Sequence, residues 1–227
     1  MNTSSPARLG RLCAAGLALT LAGGCDALRP TTSPQPSFYT LDRTRDAAPT
    51  AIRPTAPAAA PTLIINPPHA AAGFDSQRII YVREAHKLEY FVHSEWVDPP
   101  ARMLAPLLAA AVENTGAFRA VVLTPSAAAG DLRLDTEVVR LQHEFQTRPS
   151  RVRFTLRAYI VDNTTRRVLA WREFDETAAA ASDDPYGGVI AANRAVQAAL
   201  DNLAAYCAET ARSSFKAGAP TPAPSIP

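Results

Sequence analysis

The stretch with the most evident chemistry is Leu21-Ala22-Gly23-Gly24-Cys25. Arg8 and Arg11 precede an apolar run from Leu12 to Leu21, and small residues then lead to the cysteine. That order is the charged n-region, short h-region and small-residue cleavage site of an export signal. The run is too short for a transmembrane helix, which needs about 20 apolar residues. A thiol here can carry a diacylglycerol through a thioether, and the small residues before it let the chain enter a peptidase extended. Cleavage then leaves Cys25 as an acylated N-terminus. Two other readings stand beside this one: an ordinary secretory signal with an incidental cysteine, and modification at Cys13, which lies inside the apolar run.

The stretch resembles the bacterial lipobox, with Ala22 three residues before the cysteine where leucine is commoner. Elsewhere the chemistry is sparse. His86 and His93 are an odd number apart, so on one strand they face opposite ways and share no metal. His69 and His143 fall in or beside loops without a second ligand at useful spacing, which reads as solvated histidine. Asp183 and Asp184 stand before Pro185 and read as the cap of the last helix. There is no glycine-rich phosphate loop and no nucleophile elbow. No cofactor is expected and no catalytic residue is assigned.

Arg151, Arg153 and Arg157, with Arg148 before them, line one face of a strand. They suit either an acidic partner or phospholipid headgroups, or else form a solvated face salted by Glu137 and Glu173. Tyr90, Phe91 and Trp96 are candidates for an interface, since aromatics are enriched there; core packing is the other reading, preferred for Tyr90 and Trp96. An exposed edge at Phe91 would also serve self-association into a homo-oligomer.

Charge narrows the partners. The 23 basic and 21 acidic residues fall to 21 of each once Arg8 and Arg11 leave with residues 1–24. A neutral chain lacks the basic footprint of a nucleic-acid binder and the polybasic case for anionic lipid, so acyl chains must supply the anchoring. With Cys13 lost and Cys25 acylated, Cys207 has no disulfide partner and reads as a small buried hydrophobe.

These groups need elements to position them. Residues 25–36 carry Pro30, Pro34 and Pro36 and read as a tether, of roughly 20 Å mean reach if it is a random coil. Ser37–Asp42 reads as a first short strand, 43–60 as a flexible proline- and alanine-rich insert, and Thr62–Asn66 as a strand stopped by Pro67-Pro68. Arg78–Arg83 and Lys87–His93 form a hairpin in which Leu88, Tyr90 and Val92 share one face and Phe91 the other. Asp98 reads as the cap of an amphipathic helix through Val112, which Pro106 should kink or whose start it should shift, stopped at Asn114-Thr115-Gly116. Phe118–Leu123 is a further strand. Leu132 to Val138 alternate and then slip one residue at Val139 and Leu141, as a β-bulge would produce. Val152–Ile160 alternates cleanly, Asp162–Thr165 turns it back, and 167–175 completes a meander. Val189, Asn193, Val196, Leu200, Leu203 and Cys207 mark a final helix over about 185–210. Residues 213–227 are expected to be a disordered tail. The fold class is α+β: a single domain over 37–212, a mainly antiparallel sheet with two helices packed on one face.

Tyr39-Thr40-Leu41, Arg78-Ile79-Ile80-Tyr81-Val82-Arg83, Leu88-Glu89-Tyr90 and Trp96-Val97-Asp98-Pro99-Pro100 together resemble the ABC-type transport auxiliary lipoproteins, nearest the paraquat-inducible protein C group. The resemblance covers about residues 37–212. It implies a non-enzymatic periplasmic lipoprotein, acylated (palmitate) at Cys25, in a Gram-negative cell envelope. The implied partners are a mammalian-cell-entry-domain protein, an ABC permease and its ATPase, and the implied task is lipid transport between membranes. The proline-rich insert departs from the pattern, as does Asp26. Relatives mostly reside at the outer membrane, whereas an acid after the lipidated cysteine retains enteric lipoproteins at the inner one. The alternative function is an assembly factor or plug for an outer-membrane barrel.

Overall fold

The computed structural model describes residues 35–42 and 56–217. The export signal, Cys25, most of the tether, the bulk of the insert and the last ten residues lie outside the described residues. Thirteen residues of unbroken β-structure, β7 (Leu132–Glu144), organise the rest. On one side β7 pairs along its length with β8 (Arg151–Asp162), which pairs in turn with β9 (Val168–Ala179), both antiparallel. On the other side three short strands share its edge in parallel: β2 (Thr62–Ile65) near its start, β3 (His69–Ala70) at its middle and β4 (Arg78–Val82) at its end. β6 (Ala120–Leu123) extends from β2, while β5 (Glu89–Trp96) and β1 (Ser37–Tyr39) extend from β4. Among the described residues this makes nine strands in one sheet, mostly antiparallel by ladder length, and two helices in a single α+β domain.

The expected bulge is present: the β7–β8 register slips between Val138 and Arg140. Val138 faces the core before the slip, and Leu141 and His143 face it after, so β7 keeps a buried, mainly apolar inner face over its full length. β2 is buried on both faces, as a parallel strand flanked by β6 and β7 must be.

Helices α1 (Pro100–Glu113) and α2 (Pro185–Ala217) cover the inner face. Leu104, Leu108 and Val112 of α1 and Val196, Leu200 and Leu203 of α2 meet Leu134, Phe154, Leu156 and Ile160, all nearly inaccessible to solvent. Each such side chain contributes about 1.5–3 kcal/mol on burial. The alanines of α2, including Ala191, Ala195 and Ala199, let the helix approach the sheet closely. Asn193 accepts from the Asp42 amide at 2.7 Å and donates to the Thr40 carbonyl at 3.2 Å, tying the end of the first strand region to α2.

Some local expectations need correction. Asp98 does not cap α1: Pro99 holds that position without a side-chain bond, and Asp98 pairs instead with Arg102 at 3.4 Å. Pro106 is accommodated inside the continuous helix. Asn114 and Gly116, the latter at φ +62°, end it as expected. α2 continues to Ala217, past its anticipated end near 210.

The hairpin faces are reversed. Leu88, Tyr90 and Val92 are exposed, while Phe91 is half-buried against Tyr81 with ring centroids 4.6 Å apart. The cause is a register slip in β5: Arg78 opposes Glu95, yet Ile80 opposes Tyr90. Odd-numbered Phe91 therefore faces inward before the slip, and even-numbered Ser94 and Trp96 face inward after it.

Candidate functional site

Three chain segments meet at one end of the sheet. His143 lies next to the last residue of β7, Ser150 immediately precedes β8, and Asp183 and Asp184 lead into α2. His143 was expected in solvent; it is 2% exposed, because the bulge restores an inward parity at Leu141 and His143. Its Nε2 is 2.8 Å from Ser150 Oγ. The Ser150 amide donates to Asp183 Oδ1 at 3.3 Å. His143 Nδ1 has no hydrogen-bond partner and abuts Gly188. Burial pushes the imidazole below its ordinary 6.5, against the opposing pull of Asp183 and Asp184. Hydrogen bonding to Ser150 holds Asp183 below the usual carboxylate range. Asp184 Oδ1 accepts from the Gly187 amide at 2.7 Å and so caps α2, as expected.

Serine, histidine and aspartate are the residue types of a nucleophile triad, but their order here is different. A triad needs the carboxylate on the imidazole and the imidazole on an accessible serine. Here the carboxylate accepts from the serine's backbone amide, the remaining imidazole nitrogen meets a glycine, and Ser150 is 0% exposed. The adjoining cavity, walled by Trp96, Leu141, Val152 and Ala192, has a volume of about 10 Å³, room for one water at most. The cluster clamps β7, β8 and α2 together.

The outer face of the sheet carries the arginines. Arg151 Nε lies 2.9 Å from Glu144 Oε2, and Arg153 reaches Glu144 at 3.5 Å and Asp175 at 3.9 Å. Arg157 bridges Glu137 at 3.1 Å and Glu173 at 2.9 Å, and the Glu173 bond raises its pKa further. The three are thus salted across β7, β8 and β9. Towards the β8–β9 turn this face becomes apolar. Trp171, 61% exposed, stacks on Tyr159 with centroids 6.3 Å apart, beside exposed Val168 and Leu169.

His69, His86 and His93 are exposed, as read from the sequence. Among the described residues no three His, Cys, Asp or Glu side chains are grouped to hold a metal, and no helix is long and apolar enough to cross a membrane. Cys207 is 1% exposed, and burial pushes its thiol up to about 12.

The family model described as "ABC-type transport auxiliary lipoprotein component" matches residues 39–204. Among solved structures, a Xanthomonas campestris protein of family DUF330 superposes with a TM-score of 0.66 at 22% identity, over 79% of this chain and 99% of that one. An uncharacterized protein superposes at 0.58 with 12% identity, over 76% and 99%. These similarities show the fold. No match was found among curated proteins.

Proposed function

Since the chain belongs to the family of ABC-type transport auxiliary lipoprotein components, we propose that it is a lipid-anchored, non-catalytic docking subunit of a transporter built on a mammalian-cell-entry-domain protein, a permease and an ATPase. The cargo is phospholipid or another hydrophobic molecule passed between the two membranes. The family match across 39–204 carries this reading. The placement of Cys25 supports the anchor: a cysteine at a cleavable export signal, followed by a short tether and then the matched region.

We place the protein partner on the outer face of β7–β9. Arg151, Arg153 and Arg157 there can exchange their internal carboxylates for a partner's, and Trp171 on Tyr159 offers the exposed aromatic anchor that interface centres favour. Phe91 is not part of this surface, because its ring packs inward.

The test is affinity capture of the tagged full-length lipoprotein from native membranes. Recovery of the mammalian-cell-entry-domain protein or the ATPase supports the assignment. Recovery of an outer-membrane barrel in their place would overturn it in favour of an assembly role.

A further inference from the structure

A second apolar surface lies on the outer face of the lobe β4–β5–β1, across β7 from the arginines. Phe38 (57% exposed), Leu88 (49%), Tyr90 (47%), Val92 (73%) and Val97 (49%) project from it. Their neighbours in sequence, Tyr39, Phe91 and Trp96, turn to the helix-covered core, so Phe38, Tyr90 and Val92 occupy the opposite face of the same strands, with Leu88 just before β5 and Val97 just after it. The strand pairings make it continuous: Phe38 opposes Glu95, Glu95 opposes Arg78, and the Arg78 guanidinium lies 4.2 Å over the Tyr90 ring. Beside Leu88 the surface dips into an open groove of about 320 Å³ walled by Phe74, Val82, Lys87 and Arg140.

Five large apolar side chains on one solvent-facing lobe exceed the scattered singles of an ordinary surface and mark a docking site. The tether decides the occupant. Eleven residues, 26–36, separate Cys25 from β1, and even fully extended they span at most about 40 Å. Phe38, the second residue of β1 and thirteen residues beyond Cys25, is therefore held within about 45 Å of the membrane that takes the acyl chains. Surface chemistry agrees: a tyrosine ring under an arginine, flanked by Phe, Leu and Val, with Arg140 beside them and Lys87 ion-paired to Glu84 and Glu89 at 3.9 and 3.7 Å, is a mixture that suits the headgroup level of a bilayer. We propose that this lobe lies against the membrane holding the anchor. Phe38, Tyr90 and Val92 then enter the interfacial layer, and Arg78 and Arg140 meet lipid phosphates. The proposal rests on the acylation of Cys25 and adds to it a second, non-covalent attachment that fixes the domain's orientation, leaving the Trp171 surface to the partner.

The experiment uses the full-length lipoprotein purified from envelopes and reconstituted into vesicles of phosphatidylethanolamine and phosphatidylglycerol. Phe38→Cys and Val92→Cys each receive a polarity-sensitive fluorophore, with Ala205→Cys on the solvent side of α2 as the control; all three positions are exposed. Labelling is specific, because Cys207 is buried with its thiol pushed up to about 12 and Cys25 is blocked by acylation. Both lobe labels are expected to shift to the blue on reconstitution and to be quenched by brominated phospholipid several-fold more than the Ala205 label. Equal quenching at all three positions overturns the proposal, as does a blue shift that requires an added transporter subunit. Mass spectrometry of the N-terminal peptide separates the two ideas. Without acyl chains on Cys25 the anchor reading fails and this one falls with it; with them, an unquenched lobe overturns this proposal alone.

Discussion

Alanine at position 188 is expected to destabilise the domain, although glycine-to-alanine changes inside helices ordinarily do the reverse. Gly188 sits in the opening turn of α2, where alanine gains about 1 kcal/mol of helix propensity. The new Cβ would lie 2.5 Å from His143 Nδ1, 3.1 Å from Cε1 and 3.3 Å from Cγ. The ring has little room to yield, since the adjoining cavity is only about 10 Å³. Ser150 holds its Nε2 at 2.8 Å, Phe145 lies against it at a centroid distance of 4.2 Å, and the residue is 2% exposed. Overpacking of this kind costs about 1–3 kcal/mol. The balance is a net loss of about 1 kcal/mol, or about 2–4 °C in Tm for a domain of this size. Urea unfolding at neutral pH reads it as a lowered midpoint at unchanged slope. His143→Ala, itself destabilising, removes the obstruction, so adding Gly188→Ala to it should raise the midpoint. That reversal of sign is the mark of a steric coupling between the two positions. A single Gly188→Ala variant with a raised midpoint would falsify the description of His143 as a clamped ring.

Acid should weaken the fold in two stages. The folded-state pKa of His143 is depressed below 6.5, so its contribution is fully present above about pH 6.5 and is lost as pH falls towards the lower folded value. Asp162, Asp183 and Asp184, held below the ordinary carboxylate range by their hydrogen bonds, add a second loss at still lower pH. Unfolding midpoints of His143→Gln should lack the first stage and keep the second; a wild-type midpoint that is flat from about pH 7.5 to 5 contradicts this. Cys207 in the folded, mature protein should resist aromatic disulfide reagents and react fully in urea, as followed by thiolate release; rapid native reaction would show α2 to be loosely docked. Trp171→Ser should leave stability within about 0.5 kcal/mol of wild type, since the side chain is 61% exposed, but lower recovery of the transporter subunits in affinity capture. Unchanged recovery removes Trp171 from the partner surface.

Much of the fold was legible because most strands follow one simple pattern. The period-2 alternation of Val152–Ile160 fixes both faces of β8, and the phase change at Val139 announces the bulge that the β7–β8 register contains. The same phase change also determines His143: continued past Leu141, it turns the histidine inward, a consequence available from the sequence but not drawn when His143 is treated as a loop residue. Gly187-Gly188 was a further signal, since two glycines in the first turn of a helix cost propensity and require a packing reason. β5 was misread because its slip leaves no mark in residue type: Tyr90, Phe91 and Val92 are all apolar, so either parity looks like a core face. The salting of Arg157 by Glu137 and Glu173 was anticipated from charge alone. The stacking of Tyr159 with Trp171 was not, because it depends on the cross-strand register set by the β8–β9 turn.

The outer face shows how one sheet can serve two attachments without aggregating. Long uncovered faces and edges invite association with any apolar surface. Here the middle of the face is filled by arginines already bound to acids of their own chain, and those pairs remain soluble whether or not a partner is present. Among the described residues, the exposed apolar side chains of the outer face gather mainly in two places, one beside Phe38 and Tyr90 and one beside Trp171. A chain selected only for solubility would have charged both. The tether fixes which is which: the first patch begins two residues after it and stays within its reach of the anchor, whereas the second lies on the β8–β9 hairpin across β7, with no such constraint. The ion-paired strip between them keeps the two contacts separate, so that engaging a partner at Trp171 does not require the Phe38 lobe to leave the lipid.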